Sequence, residues 1–367
     1  MKPGIYIHLP FCSVHCSYCD FPLTTRLSLA DDYYRSLLRE IAMRARHCNA
    51  DSLYFGGGTP SLTPAEVLGK IRERFPLEPG AEITLEANPE NVTAEKLDSW
   101  KDVGINRLSI GVQSLEERVL KGMLRTHSPQ QSIEAFERAR AGGFENINMD
   151  LMIGAPGQSV SGFFDGLRTL IELGPAHISI YLLEIHENTA LWKQIESGRV
   201  QPMSEDEQLQ CYTGAVEELQ THGYEHYEVS NFALRGYVSR HNIKYWTNTP
   251  YAGFGAGACS YWDHVRTTNL RSVSAYIAAV NKGELPEEIS AAEDHETQMR
   301  NAVIFGLRKR QGIDLDEFHE AYGVSALTLF DQADEYMRSG FLEVSENHLR
   351  LTLRGMLVSN EILASVL

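Results

Sequence analysis

Residues 4–21 have the sequence Gly4-Ile5-Tyr6-Ile7-His8-Leu9-Pro10-Phe11-Cys12-Ser13-Val14-His15-Cys16-Ser17-Tyr18-Cys19-Asp20-Phe21. The first six predict a short β-strand, and the strand leads into a loop with the spacing C-x₃-C-x₂-C. Three thiolates on one loop can hold three corners of an iron–sulfur cube, and the fourth iron of a [4Fe–4S] cluster then stays open for another ligand. The competing interpretation is zinc, but structural zinc sites combine two cysteine or histidine pairs, and no second pair occurs here.

Five further strand-like segments follow, and each is separated from the next by an amphipathic helical pattern. The six predicted strands are Gly4–Leu9, Ser52–Phe55, Glu82–Ala87, Arg107–Val112, Asn146–Met152 and His177–Leu183. Strands that alternate with helices predict an α/β fold with a parallel sheet. A curved or closed barrel is favoured over a dinucleotide-binding sheet, because no G-x-G-x-x-G motif follows the first strand.

The regular alternation ends near residue 231, and this change divides the chain into three predicted segments. Residues 1–230 form the barrel with the cysteine loop. Residues 231–290 form an irregular segment rich in aromatic residues and glycine, with Gly253, Gly255 and Gly257 in alternation. Residues 291–367 form a mostly helical module that ends in two short strands, which is typical of a winged-helix-like domain.

Composition excludes several classes of function. The 367 residues include 33 basic and 49 acidic side chains, a net charge of −16, whereas nucleic-acid binding needs a basic face. The C-terminal module is therefore interpreted as a docking domain and not as a DNA-binding one. No apolar run approaches the roughly 18 residues of a membrane-spanning helix, and no secretory signal precedes the first strand. We expect a cytoplasmic protein with no membrane-spanning segment.

Polar and glycine residues lie where the predicted strands end. Gly56-Gly57-Gly58-Thr59-Pro60 follows the second strand, and its free N–H groups can bind an anion, although a tight turn would also use such a sequence. Glu86, Gln113 and Asp150 end the third, fourth and fifth strands, and Arg125 can pair with a carboxylate there. Because the carboxyl ends of barrel strands converge, these side chains predict a ligand site, the alternative being solvated strand ends.

The cysteine loop after a first strand resembles the radical S-adenosylmethionine (SAM) superfamily. The resemblance implies a partial (β/α)₆ barrel in which SAM binds the open iron of a [4Fe–4S] cluster. A low-potential donor then supplies the electron that cleaves SAM to a 5′-deoxyadenosyl radical. The resemblance also implies that the cluster ligands are Cys12, Cys16 and Cys19. The residues that it implies for SAM binding are Tyr6, Tyr18, Gly57, Gly58, Thr59, Glu86, Gln113, Arg125 and Asp150. Tyr6 and Tyr18 would equally suit core or loop aromatic positions.

Within that superfamily the chain is similar to the branch of the oxygen-independent coproporphyrinogen III oxidases, through Gly111-Val112-Gln113-Ser114 and Asp150-Leu151-Met152-Ile153-Gly154-Ala155-Pro156-Gly157-Gln158. Those oxidases carry a further cysteine two residues after the third ligand, where this chain has Phe21. That departure, and the motif His241-Asn242-Ile243-Lys244-Tyr245-Trp246, resemble the HemW haem-chaperone group. The resemblance implies that His241 ligates haem. A His-Asn pair that only satisfies backbone groups is the alternative.

The remaining cysteines have simpler interpretations. Cys48 and Cys211 lie on predicted helices, where core thiols are common. Cys259 stands in Gly257-Ala258-Cys259-Ser260, where the HemW group usually has histidine in place of the cysteine. We expect Cys259 to be either a soft replacement ligand or a buried thiol.

Two functions remain open at this level. The first is a haem chaperone that binds haem and a SAM-ligated [4Fe–4S] cluster and passes the haem to an acceptor protein. The second is a radical SAM enzyme that acts on a tetrapyrrole, as a coproporphyrinogen III dehydrogenase or a haem-modifying enzyme. Phe21 and the His241 motif favour the first function. Whether the protein is an enzyme is left open, because the SAM-binding residues are complete.

Overall fold

The structure is a computed structural model, and it describes residues 2–44, 49–330 and 332–366. Its first part alternates strands and helices as the sequence predicts. The six parallel strands are β1 (Gly4–Leu9), β2 (Ala50–Gly57), β3 (Leu77–Ala87), β4 (Arg107–Gln113), β5 (Asn146–Ile153) and β6 (His177–Leu182). The helices of this part are α1 (Ala30–Arg44), α2 (Ala65–Arg72), α3 (Ala94–Asp102), α4 (Glu117–Gly122), α5 (Pro129–Ala141), α6 (Val160–Leu173), α7 (Ala190–Glu196) and α8 (Glu205–Thr221).

The second part adds shorter elements. Its strands are β7 (Glu225–Glu228), β8 (Asn231–Ala233), β9 (Tyr251–Phe254), β10 (Cys259–Trp262), β11 (Val265–Asn269), β12 (Glu287–Ala292), β13 (Ile313–Asp314), β14 (Leu342–Ser345) and β15 (His348–Leu351). Its helices are α9 (Asn242–Trp246), α10 (Val273–Asn281), α11 (His295–Gly306), α12 (Leu315–Tyr322), α13 (Ala333–Arg338), α14 (Leu353–Leu357) and α15 (Ser359–Ala364).

The buried side chains of the parallel strands form the core, and the helices cover the outer face of the sheet. Ile5 lies opposite Leu53 and Ile7 opposite Phe55 in the β1–β2 register, and all four side chains are buried. Apolar runs of this kind are typical of parallel strands that are shielded from water. The carboxyl ends of the six strands therefore meet at one edge, and the cysteine loop follows the first of them.

The sheet stays open, as the predicted partial barrel requires. Within the described ranges it has twelve strands in the order β12-β11-β10-β9-β1-β2-β3-β4-β5-β6-β8-β7, so β12 and β7 are its edges. β9 runs parallel to β1, whereas β10, β11 and β12 form an antiparallel extension. The fold is thus an α/β partial barrel with a mostly helical C-terminal part.

The prediction that residues 231–290 are irregular is wrong for most of that segment, because it supplies β8 to β12 and two helices. The alternating glycines serve close packing. A Cβ atom at Gly253 would lie 2.0 Å from the carbonyl oxygen of Cys259, and one at Gly255 would lie 2.6 Å from that of His8. Glycine usually marks irregular backbone. Here it is required because backbone atoms of neighbouring segments lie so close to these positions that a side chain would not fit.

The C-terminal residues form a small sheet in the order β13-β15-β14 beside α11, α12 and α13, which agrees with a winged-helix-like module. The strand Ile313–Asp314 was not predicted from the sequence. α11 also packs on the edge of the barrel, where the Arg266 guanidinium of β11 lies 4.8 Å from the ring of Phe305. No helix in the described part of the chain is long and apolar enough to cross a membrane.

Candidate functional site

A cavity of about 880 Å³ opens at the carboxyl ends of the parallel strands. This volume is near the upper end of the range of about 300–1,000 Å³ that is usual for ligand pockets. Its wall contains most of the residues that the sequence predicts for cluster and SAM binding. They are Cys12, Cys16, Cys19, Tyr18, Gly57, Gly58, Thr59, Glu86, Gln113, Arg125 and Asp150. Tyr6 and His241 are not among the wall residues.

The cysteine loop is tied to the barrel by backbone hydrogen bonds. Cys12 N–H donates to the Thr24 carbonyl (3.1 Å), and Ser17 N–H donates to the Met123 carbonyl at the end of α4 (3.2 Å). Cys12 is buried, and the other two cysteines are half-buried. Among the residues that the structure describes, no three His, Cys, Asp or Glu side chains are grouped closely enough to hold one metal ion. A [4Fe–4S] cluster takes one thiolate per iron, so its ligands need not converge on one point.

The glycine loop forms a close cradle against the cysteine loop. Gly57 has φ +124°, and a Cβ at Gly58 would lie 2.9 Å from Sγ of Cys12. The Thr59 hydroxyl donates to the same sulfur across 3.4 Å. These contacts require glycine at both positions and leave the backbone accessible from the cavity, as expected for a ligand-binding loop.

Glu86 lies where the glycine loop meets β3. Its carboxylate accepts hydrogen bonds from the Tyr54 hydroxyl (2.8 Å) and from Gly57 N–H (3.0 Å). Burial raises the pKa of Glu86 to about 7, despite both hydrogen bonds, which favour the charged form. The side chain therefore exchanges a proton near neutral pH and faces the cavity.

Arg125, Gln113 and Asp150 also line the cavity. Arg125 Nη2 donates to Asn88 Oδ1 and to the Gly111 carbonyl (both 2.9 Å), and its Nη1 lies 3.8 Å from Sγ of Cys16. Asn148 donates to Asp150, and burial raises the pKa of Asp150.

Gln113 adopts a left-handed backbone (φ 65°), and its buried Oε1 atom has no partner among the described residues. A buried acceptor without a partner is costly, so a donor from a ligand would stabilise this wall.

Tyr6 and His241 lie outside the cavity wall, with His241 buried and Tyr6 half-buried. The His241 ring is stacked on Tyr54 (5.1 Å between centroids) and on Tyr6 (6.2 Å). Its Nδ1 is hydrogen-bonded to the Ser52 hydroxyl and its Nε2 to the Tyr245 hydroxyl, each at 3.0 Å. Burial lowers the pKa of His241 to about 3, so the ring is neutral. Haem ligation by His241 remains a prediction, and it would require the ring to leave these partners.

Cys259 is exposed on β10, and its Sγ lies 3.4 Å from the Thr268 hydroxyl oxygen. The alternative that it is a buried thiol is therefore wrong: strand alternation buries the neighbouring Ser260 instead. Cys259 is also absent from the cavity wall. Cys211 is buried on α8, as expected, and Cys48 lies outside the described residues.

The C-terminal module contributes a part of the cavity wall that the sequence did not predict. These residues are Arg308 after α11, Met356 and Leu357 of α14, and Val358 to Glu361 at the start of α15. Glu184 and His186, which follow β6, also line the cavity, and Asn360 donates a hydrogen bond to Glu184. No local motif marks these positions, because they become neighbours only when the C-terminal module packs on the barrel.

The fold and the cysteine loop define a radical SAM protein, and the sequence model of the radical SAM superfamily matches residues 6–185. A second model, the HemN C-terminal domain, matches residues 294–358. The chain is 34% identical over 372 residues to the heme chaperone HemW of Bacillus subtilis, with 99% of this chain and 98% of that protein covered. It is 33% identical to the heme chaperone HemW of Escherichia coli, with 98% and 97% covered. The chain belongs to the HemW family.

The solved structure of Escherichia coli coproporphyrinogen III oxidase (HemN), described as a radical SAM enzyme, also resembles this protein. The TM-score is 0.85, the match covers 100% of this chain and 90% of that one, and the identity is 23%. At 23% identity the resemblance shows a shared fold, and it does not assign the reaction of HemN to this chain.

Proposed function

We propose that the protein is a haem chaperone, which binds haem and delivers it to an acceptor protein. The observation that carries this proposal is the near full-length similarity to relatives named heme chaperone HemW. The cavity supports it, because its wall continues from the cysteine loop to Arg308 and α15, beyond the residues assigned to SAM. We place this function in the cytoplasm, with a low-potential electron donor and a haem-acceptor protein as partners.

Cys12, Cys16 and Cys19 would hold a [4Fe–4S] cluster, which would supply one-electron chemistry next to the SAM site. Tyr18, Gly57, Gly58, Thr59, Glu86, Gln113, Arg125 and Asp150 would bind SAM from the cavity wall, and Tyr6 would act through Tyr54 and Glu86. Three observations support this fit: the glycine cradle at Cys12, the unpartnered Gln113 Oε1 and the buried Glu86 carboxylate. In this proposal residues 1–230 would hold the cluster and SAM, residues 231–290 extend the sheet, and residues 291–367 supply the remaining part of the cavity wall.

One anaerobic comparison separates the chaperone from the tetrapyrrole enzyme. The reconstituted protein, given SAM and a reductant, is expected to bind haem stoichiometrically and to leave coproporphyrinogen III unchanged. Haem binding is measured by absorption, and conversion by chromatography of the porphyrins. Stoichiometric formation of protoporphyrinogen would favour the enzyme instead, and a failure to take up haem would contradict the chaperone function.

The affinity for SAM is expected to depend on pH through Glu86. Because the pKa of Glu86 is about 7, its carboxyl group is protonated below that pH and loses the charge that attracts cationic SAM. The dissociation constant should therefore rise by up to about tenfold for each pH unit below 7 and stay level above it. Equilibrium binding of labelled SAM between about pH 5.5 and 8.5 measures this. Glu86→Gln should bind weakly without the same pH step, and an identical step in that variant would exclude Glu86 as its origin.

A further inference from the structure

A chain of polar contacts crosses the cavity between the C-terminal module and the loop after β6. Arg308 Nη2 donates to Asn360 Oδ1 (2.7 Å), and Asn360 Nδ2 donates to Glu184 Oε1 (2.6 Å). The second carboxylate oxygen of Glu184 lies 3.7 Å from Nε2 of His186. All four residues line the cavity, although they come from three distant parts of the sequence. The SAM-binding residues described above do not include any of them.

His186 differs from the other histidines of the barrel. Within the described ranges it is the one histidine in the cavity wall, and 47% of its side chain is exposed. In contrast, His8, His177 and His241 are buried, with both ring nitrogens hydrogen-bonded. No described residue is bonded to Nδ1 of His186. This ring can therefore reach a ligand in the cavity without losing a partner.

The backbone at His186 is held from two sides. Its carbonyl oxygen accepts a hydrogen bond from the Thr189 hydroxyl (2.7 Å), and Thr189 caps α7. At the start of α7, Leu191 N–H donates to the Ser17 carbonyl in the cysteine loop (2.8 Å). The loop that carries His186 is thus fixed to the cluster side of the cavity by α7 and to the C-terminal module by Glu184.

The cavity that His186 lines suits a flat apolar ligand that carries carboxylates. Val14, Phe21 and Leu124 line the cavity and are exposed, and 69% of Phe21 is accessible to solvent. Exposed large apolar side chains around a pocket are typical of a binding site for an apolar surface. Arg308 and Arg271 also line the cavity, and guanidinium groups pair well with carboxylates such as haem propionates.

We propose that His186 would bind the haem iron, with Glu184 as its positioning residue. The inference rests on the proposed haem-chaperone function and names the site that would carry it. A neutral imidazole is a common haem ligand. A carboxylate beside the other ring nitrogen orients such a ligand and raises its basicity. The Glu184 carboxylate lies 3.7 Å from Nε2 of His186 and leaves Nδ1 for a ligand, whereas both nitrogens of His241 are engaged in hydrogen bonds.

Haem titration of the full-length, cluster-reconstituted protein tests this assignment. His186→Ala is expected to weaken haem affinity by at least about tenfold and to shift the Soret band, because outer-shell partners alone are worth about 10–100-fold in metal affinity. His186→Gly should recover the wild-type spectrum when free imidazole is added. His222→Ala removes an exposed histidine outside the cavity wall and should bind haem as the wild type does.

Two other outcomes of the haem titration would contradict either the His186 inference or the proposed function. If His186→Ala keeps the wild-type affinity and Soret band, the inference is overturned, and the same result together with loss of binding in folded His241→Ala would return the ligand to His241. If the wild-type protein takes up no haem at all, the proposed function itself fails. The two failures are therefore distinguishable in one set of titrations.

The role of Glu184 has a separate readout. Glu184→Gln keeps an oxygen for Asn360 and removes the negative charge beside His186, so the reduction potential of bound haem should become more positive. A potential equal to that of the wild type would show that Glu184 does not position the ligand.

Discussion

Replacing Cys12, Cys16 or Cys19 by alanine is expected to abolish cluster assembly, so that iron falls from about four atoms per chain to near zero. The reason is that each of the three thiolates would hold a different iron of the proposed cluster, and the three cysteines belong to one loop that lines the cavity. Anaerobic reconstitution followed by iron, sulfide and zinc analysis measures the effect, together with the visible absorption of thiolate-bound iron. SAM binding should be lost in the same variants.

Two cysteines of this chain are natural controls. Cys259→Ala removes an exposed thiol and Cys211→Ala removes a buried one, and neither residue lies in the cavity wall. Both variants should keep full iron and sulfide. A triple variant of the loop cysteines that retained iron and sulfide would contradict the cluster assignment. One zinc atom per wild-type chain, without sulfide, would support the alternative that the loop is a zinc site.

The barrel was predictable because its signals are local. Each parallel strand is a short, largely apolar run, and all six predicted strands are found, β1 with the predicted bounds. The same locality accounts for the cavity wall near the cysteine loop. Strand ends converge in any parallel barrel, so Glu86, Gln113 and Asp150 could be brought together from the order of the strands alone.

What the sequence could not predict depends on packing between distant segments. His241 is the first residue of an aromatic motif that suggests a ligand, but its ring is buried between Ser52 and Tyr245. Conversely, His186 and Arg308 have no motif and meet in the cavity only because the C-terminal module packs there. Local pattern identifies residue types that can do chemistry, and tertiary contacts decide which of them a ligand can reach.

Glu40 and Arg44 are a second case in which contacts between distant segments could not be predicted from the sequence. Their i,i+4 spacing on α1 is typical of an exposed helix pair, worth a few tenths of a kcal/mol. Here, however, the Glu40 carboxylate is fully buried. It accepts hydrogen bonds from Arg44 (2.7 Å), Gly255 N–H (2.8 Å), Asn269 (2.7 Å) and the Tyr276 hydroxyl (2.6 Å). The carboxylate thereby joins α1 to the turn after β9, to β11 and to α10.

Glu40→Ala is therefore expected to lower the free energy of unfolding by about 3–5 kcal/mol, because three buried donors and the half-buried Arg44 guanidinium lose this acceptor. Urea unfolding followed by circular dichroism measures the change. Glu40→Gln keeps one acceptor oxygen and should be intermediate. Glu66→Ala is the matched control: Glu66 and Lys70 have the same spacing on α2, but both are exposed, and the unfolding midpoint should not move. Equal effects at Glu40 and Glu66 would mean that the buried carboxylate does not hold the β9–α10 region against α1.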